Sequence, residues 1–374
     1  PVVCVVPRIA RVLGHCASFR AERFQRRGPE RHSGVATSYR RRNPEHARNQ
    51  RLHVTRVSAG ARLHVGFLNL SLARSRLYGG VGLALAEPTV VLEAHPADEL
   101  RCDDPAVEAY CTEAVDLLGV AGAEVTVHDR FDRHVGLGSG TQLSLAALRA
   151  IAAAHEEAVD PRDIAPAIGR GGRSGVGVAT FEAGGFVVDA GHPTERFTTA
   201  PPERGAWSVP RPIARHDLPG DWRFVLVTPE TEVGPSGRPE DRRMRTVVER
   251  ADPGIADEIA TLLTRRLLPA AAEGDHEAFG AAAARLGRLN GAWYADEQGG
   301  VYRPPAGRLV EALGESPAVA GAGQSSWGPT VYGVTRAARA EAAVEAAEAA
   351  LDAVGVDGTV RVVEPRNRGA TVDT

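Results

Sequence analysis

Alternating hydrophobic and polar residues predict most of the elements in the first half of the chain. Residues 53–70 alternate with the two-residue period of a strand, and residues 76–94 predict two further short strands. Apolar residues recur every three to four positions over 105–118, which predicts a helix, and residues 123–131 predict another strand. Residues 179–191 predict a hairpin around two adjacent glycines. The first half therefore mixes strands with helices.

A polar, proline-rich connection at about residues 194–219 is the predicted boundary between two domains. Beyond it the pattern predicts a buried strand, two helices, a glycine-rich segment leading into a strand, an alanine-rich helix and a closing strand. These elements cover 221–229, 257–274, 276–289, 319–335, 336–355 and 358–372. Their order is that of a split βαβ, ferredoxin-like layer. We therefore predict an α/β fold with domains over 53–200 and 215–374.

The composition argues against two classes of function. Hydrophobic residues make up 43% of the 374 residues, but no apolar run approaches the length of a membrane span. The net charge is −3, yet residues 1–52 hold 12 arginines against three acidic residues, which leaves the remainder acidic. An acidic globular part argues against nucleic-acid binding. Lysine is absent, which indicates either a GC-rich genome or adaptation to high salt.

Residues 1–52 show no sustained period, and their arginine-rich, acid-poor composition superficially resembles a transit peptide. We expect this extension to be disordered or to be upstream sequence translated from too early a start. Cys102 and Cys111 lack CxxC spacing, so neither a zinc site nor a disulfide framework is predicted. A reducing cytoplasm is the expected location.

The stretch "RHVGLGSGTQLSLAALRAIAAAHEE", residues 133–157, places glycines directly before an apolar helix. Glycines at 136, 138 and 140 allow tight bends and close approach of a ligand to the backbone. The amides and the positive dipole end of a helix start attract anions. One interpretation is a phosphate cradle, and the other is an ordinary glycine loop before a core helix. No lysine follows, so this is not a Walker A loop.

Within that stretch, "HVGLGSGTQLSLA" resembles the second motif of the GHMP small-molecule kinase superfamily, Pro-x-x-x-Gly-Leu-Gly-Ser-Ser. Asp132 stands in place of the proline and Gly140 in place of the second serine. The Gly-Ser-Gly-Thr-Gln form is similar to one branch, the β-ribofuranosylaminobenzene 5′-phosphate synthases. Four further segments match this branch: 61–70, 169–192, 321–333 and 365–370. The resemblance extends from about Val54 to the C-terminus.

The resemblance implies a GHMP kinase-like fold with an N-terminal S5-like α/β domain and a C-terminal ferredoxin-like domain. It implies a transferase of methanopterin-type biosynthesis. The reaction joins 4-aminobenzoate to phosphoribosyl pyrophosphate and releases carbon dioxide and pyrophosphate. Mg²⁺ is expected with the pyrophosphate substrate, and a homodimer is expected from the family. The aromatic acceptor and the metal ligands stay open.

Three residues are candidates for catalysis. Arg173 either binds an anion or is a surface arginine. Asp189 either acts on the amine or on a metal, or it simply ends a strand. Arg62 is expected to contact a carboxylate. His64, on the same strand as Arg62, is expected to be structural. Trp327 stacks on the aminobenzoate ring or packs in the core. The candidates for binding substrate or phosphate are Gly136, Gly138, Ser139, Gly140, Thr141, Gln142, Ser174, Gly175, Gly323, Gln324, Ser325, Ser326 and Trp327.

Two other functions fit the same resemblance. The first is an ATP-dependent small-molecule kinase. Kinases of the superfamily often carry a catalytic aspartate just beyond the second glycine-rich segment, whereas "RSGVG" has Gly177 there. The second is a sensor that binds a sugar phosphate without turnover. Fold alone does not separate these functions, because function depends on the site.

Overall fold

The structure is a computed structural model that describes residues 54–196, 203–231 and 238–374. The described residues fall within one compact unit. The predicted extension over 1–52 lies outside them. Within these three ranges, no helix is both long enough and apolar enough to cross a bilayer.

The described residues form two sheets and the helices that cover them. The strands are β1 (Thr55–Asn69), β2 (Arg76–Pro96), β3 (Arg101–Cys102), β4 (Ala123–Asp129), β5 (Phe186–Asp189), β6 (His192–Pro193), β7 (Pro212–His216), β8 (Trp222–Pro229), β9 (Gly321–Gln324), β10 (Val331–Arg336), β11 (Gly358–Val363) and β12 (Thr371–Asp373). The helices are α1 (Pro105–Leu118), α2 (Ser139–Ala154), α3 (Pro161–Ile164), α4 (Val176–Ala183), α5 (Arg238–Arg250), α6 (Pro253–Leu262), α7 (Leu268–Glu273), α8 (His276–Gln298), α9 (Ala306–Gly314) and α10 (Ala340–Val354).

The first sheet has the order β12-β1-β2-β4-β3, and β5 and β6 also pair with β2. The prediction of two short strands in 76–94 is wrong, because β2 is continuous. Its register against β1 shifts between Gly60 and Arg62, and Pro88 lies in the stretch that this shift leaves out of the β1–β2 ladder. Ala86 of that stretch donates its backbone N–H to the carbonyl of Glu364 instead, at 2.8 Å. The bulge therefore accommodates the proline without ending the strand.

The hairpin predicted over 179–191 is also wrong in its first half. Residues up to Ala183 form α4, and only β5 is extended. Short apolar runs do not distinguish a helix from a strand by period alone. Gly184 and Gly185, with φ of +64° and +80°, end the helix and redirect the chain into β5.

The second sheet has the order β11-β8-β10-β9, with every pair antiparallel. Helices α9 and α10 bury Leu309, Leu313, Ala343 and Ala347 against it. This arrangement confirms the predicted α/β class and the ferredoxin-like layer. The predicted domain limits stay a prediction, since β12 returns to pair with β1 and one apolar cluster includes residues of both sheets.

Helix α8 approaches β9 so closely that only glycine fits at the contact. A Cβ on Gly280 would lie 2.7 Å from Ala320 Cβ, and a Cβ on Gly321 would overlap the carbonyl group of Gly280. Backbone therefore packs on backbone here. This contact sets the distance between α8 and the second sheet.

We predict that Gly321→Ala lowers the free energy of unfolding by about 1–3 kcal/mol, because helix and strand must separate to admit the methyl group. Gly314→Ala is the matched control, since no atom lies within 4 Å of its added Cβ. Urea unfolding of both variants measures the difference. Equal midpoints for the two would contradict the packing argument.

Candidate active site

Three segments that are distant in sequence meet beside strand β1. The backbone N–H of Arg62 donates to the carbonyl of Leu137, at 2.9 Å, in the predicted glycine loop. The carbonyl of His64 accepts from the N–H of Ser326, at 3.1 Å, in the turn after β9. Thr330 N–H donates to the carbonyl of Val135 at 3.3 Å and joins that turn to the loop. The structure therefore brings three of the predicted motifs together.

Ser325 is the common partner of these segments. Its hydroxyl accepts from the N–H of His64 at 3.1 Å and donates to the carbonyl of Gly136 at 2.8 Å. The side chain is completely buried. A Cβ on Gly136 would lie 3.1 Å from Gly328 Cα, so loop and turn also touch through their backbones. Ser325 thus holds the loop, which corrects its predicted role as a phosphate ligand.

The start of α2 has the features of an anion site. Gly138 caps the helix with φ of 78°. The N–H groups of Thr141 and Gln142 donate back to the Gly138 carbonyl, both at 3.1 Å. Among the described residues, no backbone partner takes the N–H groups of Ser139 and Gly140, so they stay available to a ligand. The helix dipole adds positive potential at this point.

Two guanidinium groups lie against this first turn. A Cβ on Gly138 would lie 3.2 Å from Arg62 Nε, and a Cβ on Gly140 would lie 3.2 Å from one terminal nitrogen of Arg170. Arg170 donates from Nε and a second terminal nitrogen to Ser144 Oγ at 3.2 and 3.1 Å. Burial lowers its pKa from the ordinary arginine value. Sequence reasoning missed Arg170, although it stands in the matched segment "GRGGRSG".

Two other residues of this loop face the core. Gln142 is buried and donates from Nε2 to the carbonyl of Gly177 at 3.0 Å. Thr141 lies against the same glycine, where a Cβ would be 3.1 Å from Thr141 Cγ2. These contacts join α2 to α4, which corrects the prediction that Gln142 binds phosphate. A side chain at 177 would press on the methyl group of Thr141.

Asp189 organises the second glycine-rich segment from inside the protein. Its carboxylate accepts from Ser174 Oγ at 3.0 Å, from Gly175 N–H at 2.7 Å and from Gly191 N–H at 2.8 Å. The side chain is completely buried, and burial raises the pKa of its carboxyl. These bonds use both carboxylate oxygens and the Ser174 hydroxyl. The geometry therefore assigns Asp189 to positioning the turn beside Arg173, not to contact with substrate.

An aromatic cleft lies next to the glycine loop, with a cavity volume of about 70 Å³. Arg173 lines it and forms an ion pair with Asp241 of α5. Trp327 lines it too and meets Tyr294 edge to face, with ring centroids 5.0 Å apart. The aromatic and ionisable or polar residues of the wall are His64, Phe67, Arg173, Asn290, Tyr294, Gln298, Tyr302, Gln324, Ser326 and Trp327.

His64 stands between the glycine loop and the cleft. Its ring lies 5.0 Å from that of Phe67, and the side chain is buried. Burial, followed by the charge of Arg62, lowers its pKa well below the ordinary value, so the imidazole is neutral at pH 7. Within the described chain, Nε2 has no hydrogen-bond partner. The expected structural role of His64 does not explain why a buried Nε2 in the cleft wall has no hydrogen-bond partner among the described residues.

The third motif contributes structure more than ligands. Gln324 donates from Nε2 to the carbonyl of Gly328 at 2.9 Å and accepts from Arg303 N–H at 3.2 Å. A Cβ on Gly323 would lie 2.7 Å from the hydroxyl of Tyr332. Both residues are buried, whereas Ser326 is exposed on the cleft wall with φ of 56°.

No group of three or more histidine, cysteine, aspartate or glutamate residues among those described has the arrangement of a metal site. The described residues place the guanidinium groups of Arg62 and Arg170 beside the loop.

Sequence comparison finds relatives over most of the chain. Models of the GHMP kinases N terminal domain and the GHMP kinases C terminal match residues 106–185 and 267–353. The beta-ribofuranosylphenol 5′-phosphate synthase of Methanothermobacter thermautotrophicus is 34% identical over 331 residues, which cover 84% of this chain and 97% of the relative. The synthase of the same name from Archaeoglobus fulgidus is 35% identical over 75% of this chain and 87% of its own length.

Solved structures with the same fold include small-molecule kinases and a mevalonate pyrophosphate decarboxylase. The homoserine kinase of Cytophaga hutchinsonii has a TM-score of 0.59 at 16% identity, over 87% of this chain and 99% of its own. The mevalonate kinase of Methanococcus jannaschii has a TM-score of 0.56 at 13% identity, over 83% and 98%. At such identities the likeness concerns the fold alone.

We predict that Asp189→Asn lowers the free energy of unfolding by about 2–3 kcal/mol, because an amide cannot accept from all three donors. The control is Asp352→Asn on the exposed face of α10, with an expected change within about 0.5 kcal/mol. Urea unfolding measures both. An active-site role without a structural one would instead leave the Asp189→Asn midpoint unchanged.

Proposed function

The chain belongs to the beta-ribofuranosylphenol 5′-phosphate synthase family, and we propose that it transfers the phosphoribosyl group of phosphoribosyl pyrophosphate to 4-aminobenzoate with loss of carbon dioxide. The observation that carries the proposal is that an anion site adjoins an aromatic cleft. Ser325 and His64 connect the two. The site therefore suits a diphosphate on one side and an aromatic acid on the other.

The glycine loop is the proposed pyrophosphate site. The N–H groups of Ser139 and Gly140 and the guanidiniums of Arg62 and Arg170 would stabilise the negative charge that grows as pyrophosphate leaves C1 of ribose. Mg²⁺ would enter as part of the substrate complex and neutralise diphosphate charge.

The cleft is the proposed acceptor site. A flat apolar surface for an aromatic ring is formed by Phe67, Tyr294 and Trp327. The guanidinium group of Arg173 would bind the carboxylate of that ring. A bond forms between C1 of ribose and the ring carbon that carries the carboxylate. The bond to the carboxyl carbon then breaks, its electron pair restores the aromatic ring, and carbon dioxide leaves. The neutral His64 adds no repulsion to the positive charge at C1.

The name of the relatives describes a ribofuranosylphenol product. An acceptor with a hydroxyl in place of the amine would give a product of that kind after decarboxylation. The proposed test therefore includes 4-hydroxybenzoate beside 4-aminobenzoate. A cytoplasmic location and a homodimer stay predictions.

Kinase activity with ATP is the second candidate, and the glycine at 177 argues against it. The superfamily's kinases often carry a catalytic aspartate just beyond this segment, whereas Gly177 has no side chain and a Cβ there would lie 3.1 Å from Thr141 Cγ2. A sensor without turnover is the third candidate. It differs from the synthase only in the absence of product.

The experiment incubates the full chain, at low and at molar salt, with Mg²⁺, phosphoribosyl pyrophosphate and carboxyl-labelled 4-aminobenzoate or 4-hydroxybenzoate. We expect labelled carbon dioxide only when both substrates are present. ATP consumption with an alcohol acceptor and no carbon dioxide would support the kinase. Binding of both substrates without carbon dioxide would support the sensor.

We predict that Arg62→Gln raises the KM for phosphoribosyl pyrophosphate by about 10–100-fold, because one charge-assisted contact to a phosphate is lost. The KM for the aromatic acid should change much less, since Arg62 lies at the loop. Arg361→Gln, at an exposed position of β11, is the control. Steady-state carbon dioxide release measures both constants, and equal increases in the two KM values would contradict the assignment.

A further inference from the structure

Arg173, the proposed partner of the acceptor's carboxylate, already binds a carboxylate of the protein. One of its terminal nitrogens contacts Asp241 Oδ1. Arg173 is 27% exposed and Asp241 is 50% exposed, so solvent and solutes reach the pair. The chemistry of this contact is the same as that of an aromatic carboxylate on a guanidinium. Two carboxylates cannot bind the same edge of the guanidinium group at the same time.

Helix α5 brings Asp241 to the mouth of the cleft. Met244, three residues later on the same helix face, is buried in the cleft wall. The hydroxyl of Tyr294, also in the wall, lies 3.8 Å from Met244 Sδ. The helix is therefore anchored at the cleft by Met244, and Asp241 stands one turn before this anchor.

A second cation lies within reach of Asp241. Arg245 is four residues further along α5, the spacing at which an aspartate and an arginine pair on one helix face. The pKa of Tyr78 is raised, chiefly because its hydroxyl is buried. The charges of Arg173, Asp241 and Arg245 also act on this hydroxyl. The three charged groups therefore lie close to one another. The ring of Tyr78 is tilted against that of Phe67 in the cleft, and the two ring centroids lie 5.8 Å apart.

We propose that Asp241 competes with the acceptor's carboxylate for Arg173, and that Arg245 receives Asp241 when the acceptor binds. The proposal rests on the proposed function, because it takes the aromatic cleft as the acceptor site. Asp241 is then a specificity-determining residue. A ligand must carry an anionic group to displace it, and a neutral ring of the same shape gains nothing at Arg173.

Calorimetric titration of the full chain tests the competition without turnover. The ligands are 4-aminobenzoate, its neutral analogue 4-aminobenzamide, and inorganic pyrophosphate. We expect Asp241→Asn to bind 4-aminobenzoate about 1.5- to fivefold more tightly, the range that one exposed ion pair supplies. Affinities for the amide and for pyrophosphate should not change. Arg245→Gln should weaken binding of the acid, the opposite sign.

Asp257→Asn is the matched control, because Asp257 forms an exposed ion pair with Arg74 elsewhere on the protein. It should leave all three affinities unchanged. In an Arg173→Met background, Asp241→Asn should lose its effect on the acid. In the carbon dioxide assay, Asp241→Asn should lower the KM for the acid and leave kcat unchanged.

Other outcomes overturn the inference. If Asp241→Asn does not tighten binding of the acid, or tightens acid and amide equally, Asp241 does not compete for Arg173. If the wild-type chain releases carbon dioxide while Asp241→Asn has no effect, only this inference fails. If the wild-type chain binds neither aromatic acid, the proposed function fails with it.

Discussion

The site depends on one hydroxyl group. Ser325 Oγ bonds to the backbone of His64 and of Gly136, residues that are 261 and 189 positions away in the sequence. The bond to His64 is buried and the bond to Gly136 is partly buried, so loss of the hydroxyl would leave a buried backbone N–H without a partner. Because the partners are backbone atoms, the bonds fix where the chain runs and not merely how side chains turn. The glycine loop is held beside His64, a residue of the cleft wall, for this reason.

Glycine has a second use here, which is to make room for arginine. The guanidiniums of Arg62 and Arg170 lie where side chains at 138 and 140 would otherwise stand. They can therefore approach the start of α2, whose dipole already favours anions. The chain is acidic overall, with a net charge of −3, so the positive potential is local. Such a site attracts a diphosphate without making the whole surface cationic.

Periodicity predicted the α/β class and the helix over 105–118, because periodicity is a local property. The family resemblance, not local spacing, implied that the glycine-rich motifs line one site. Neither predicted which polar atoms face a ligand. Gln142 and Gln324 stand in motifs that suggest binding, yet their amides bond to backbone carbonyls. Asp241 carries no motif, since only tertiary structure brings α5 to Arg173. Backbone partners and long-range charge pairs have no signature in spacing.

Kinases and this chain have the same fold, so the difference in chemistry must arise from a few side chains. Phosphoryl transfer needs a group that orients or deprotonates a hydroxyl nucleophile. This chain has a glycine at 177, so no side chain stands there to orient or deprotonate a hydroxyl. An aromatic carbon nucleophile carries its own electrons and needs no base, only a flat cleft and an anchor. Phe67, Trp327 and Arg173 line the cleft. In the proposed function they would meet that need, and the anion site would serve a leaving pyrophosphate in place of a transferred phosphate.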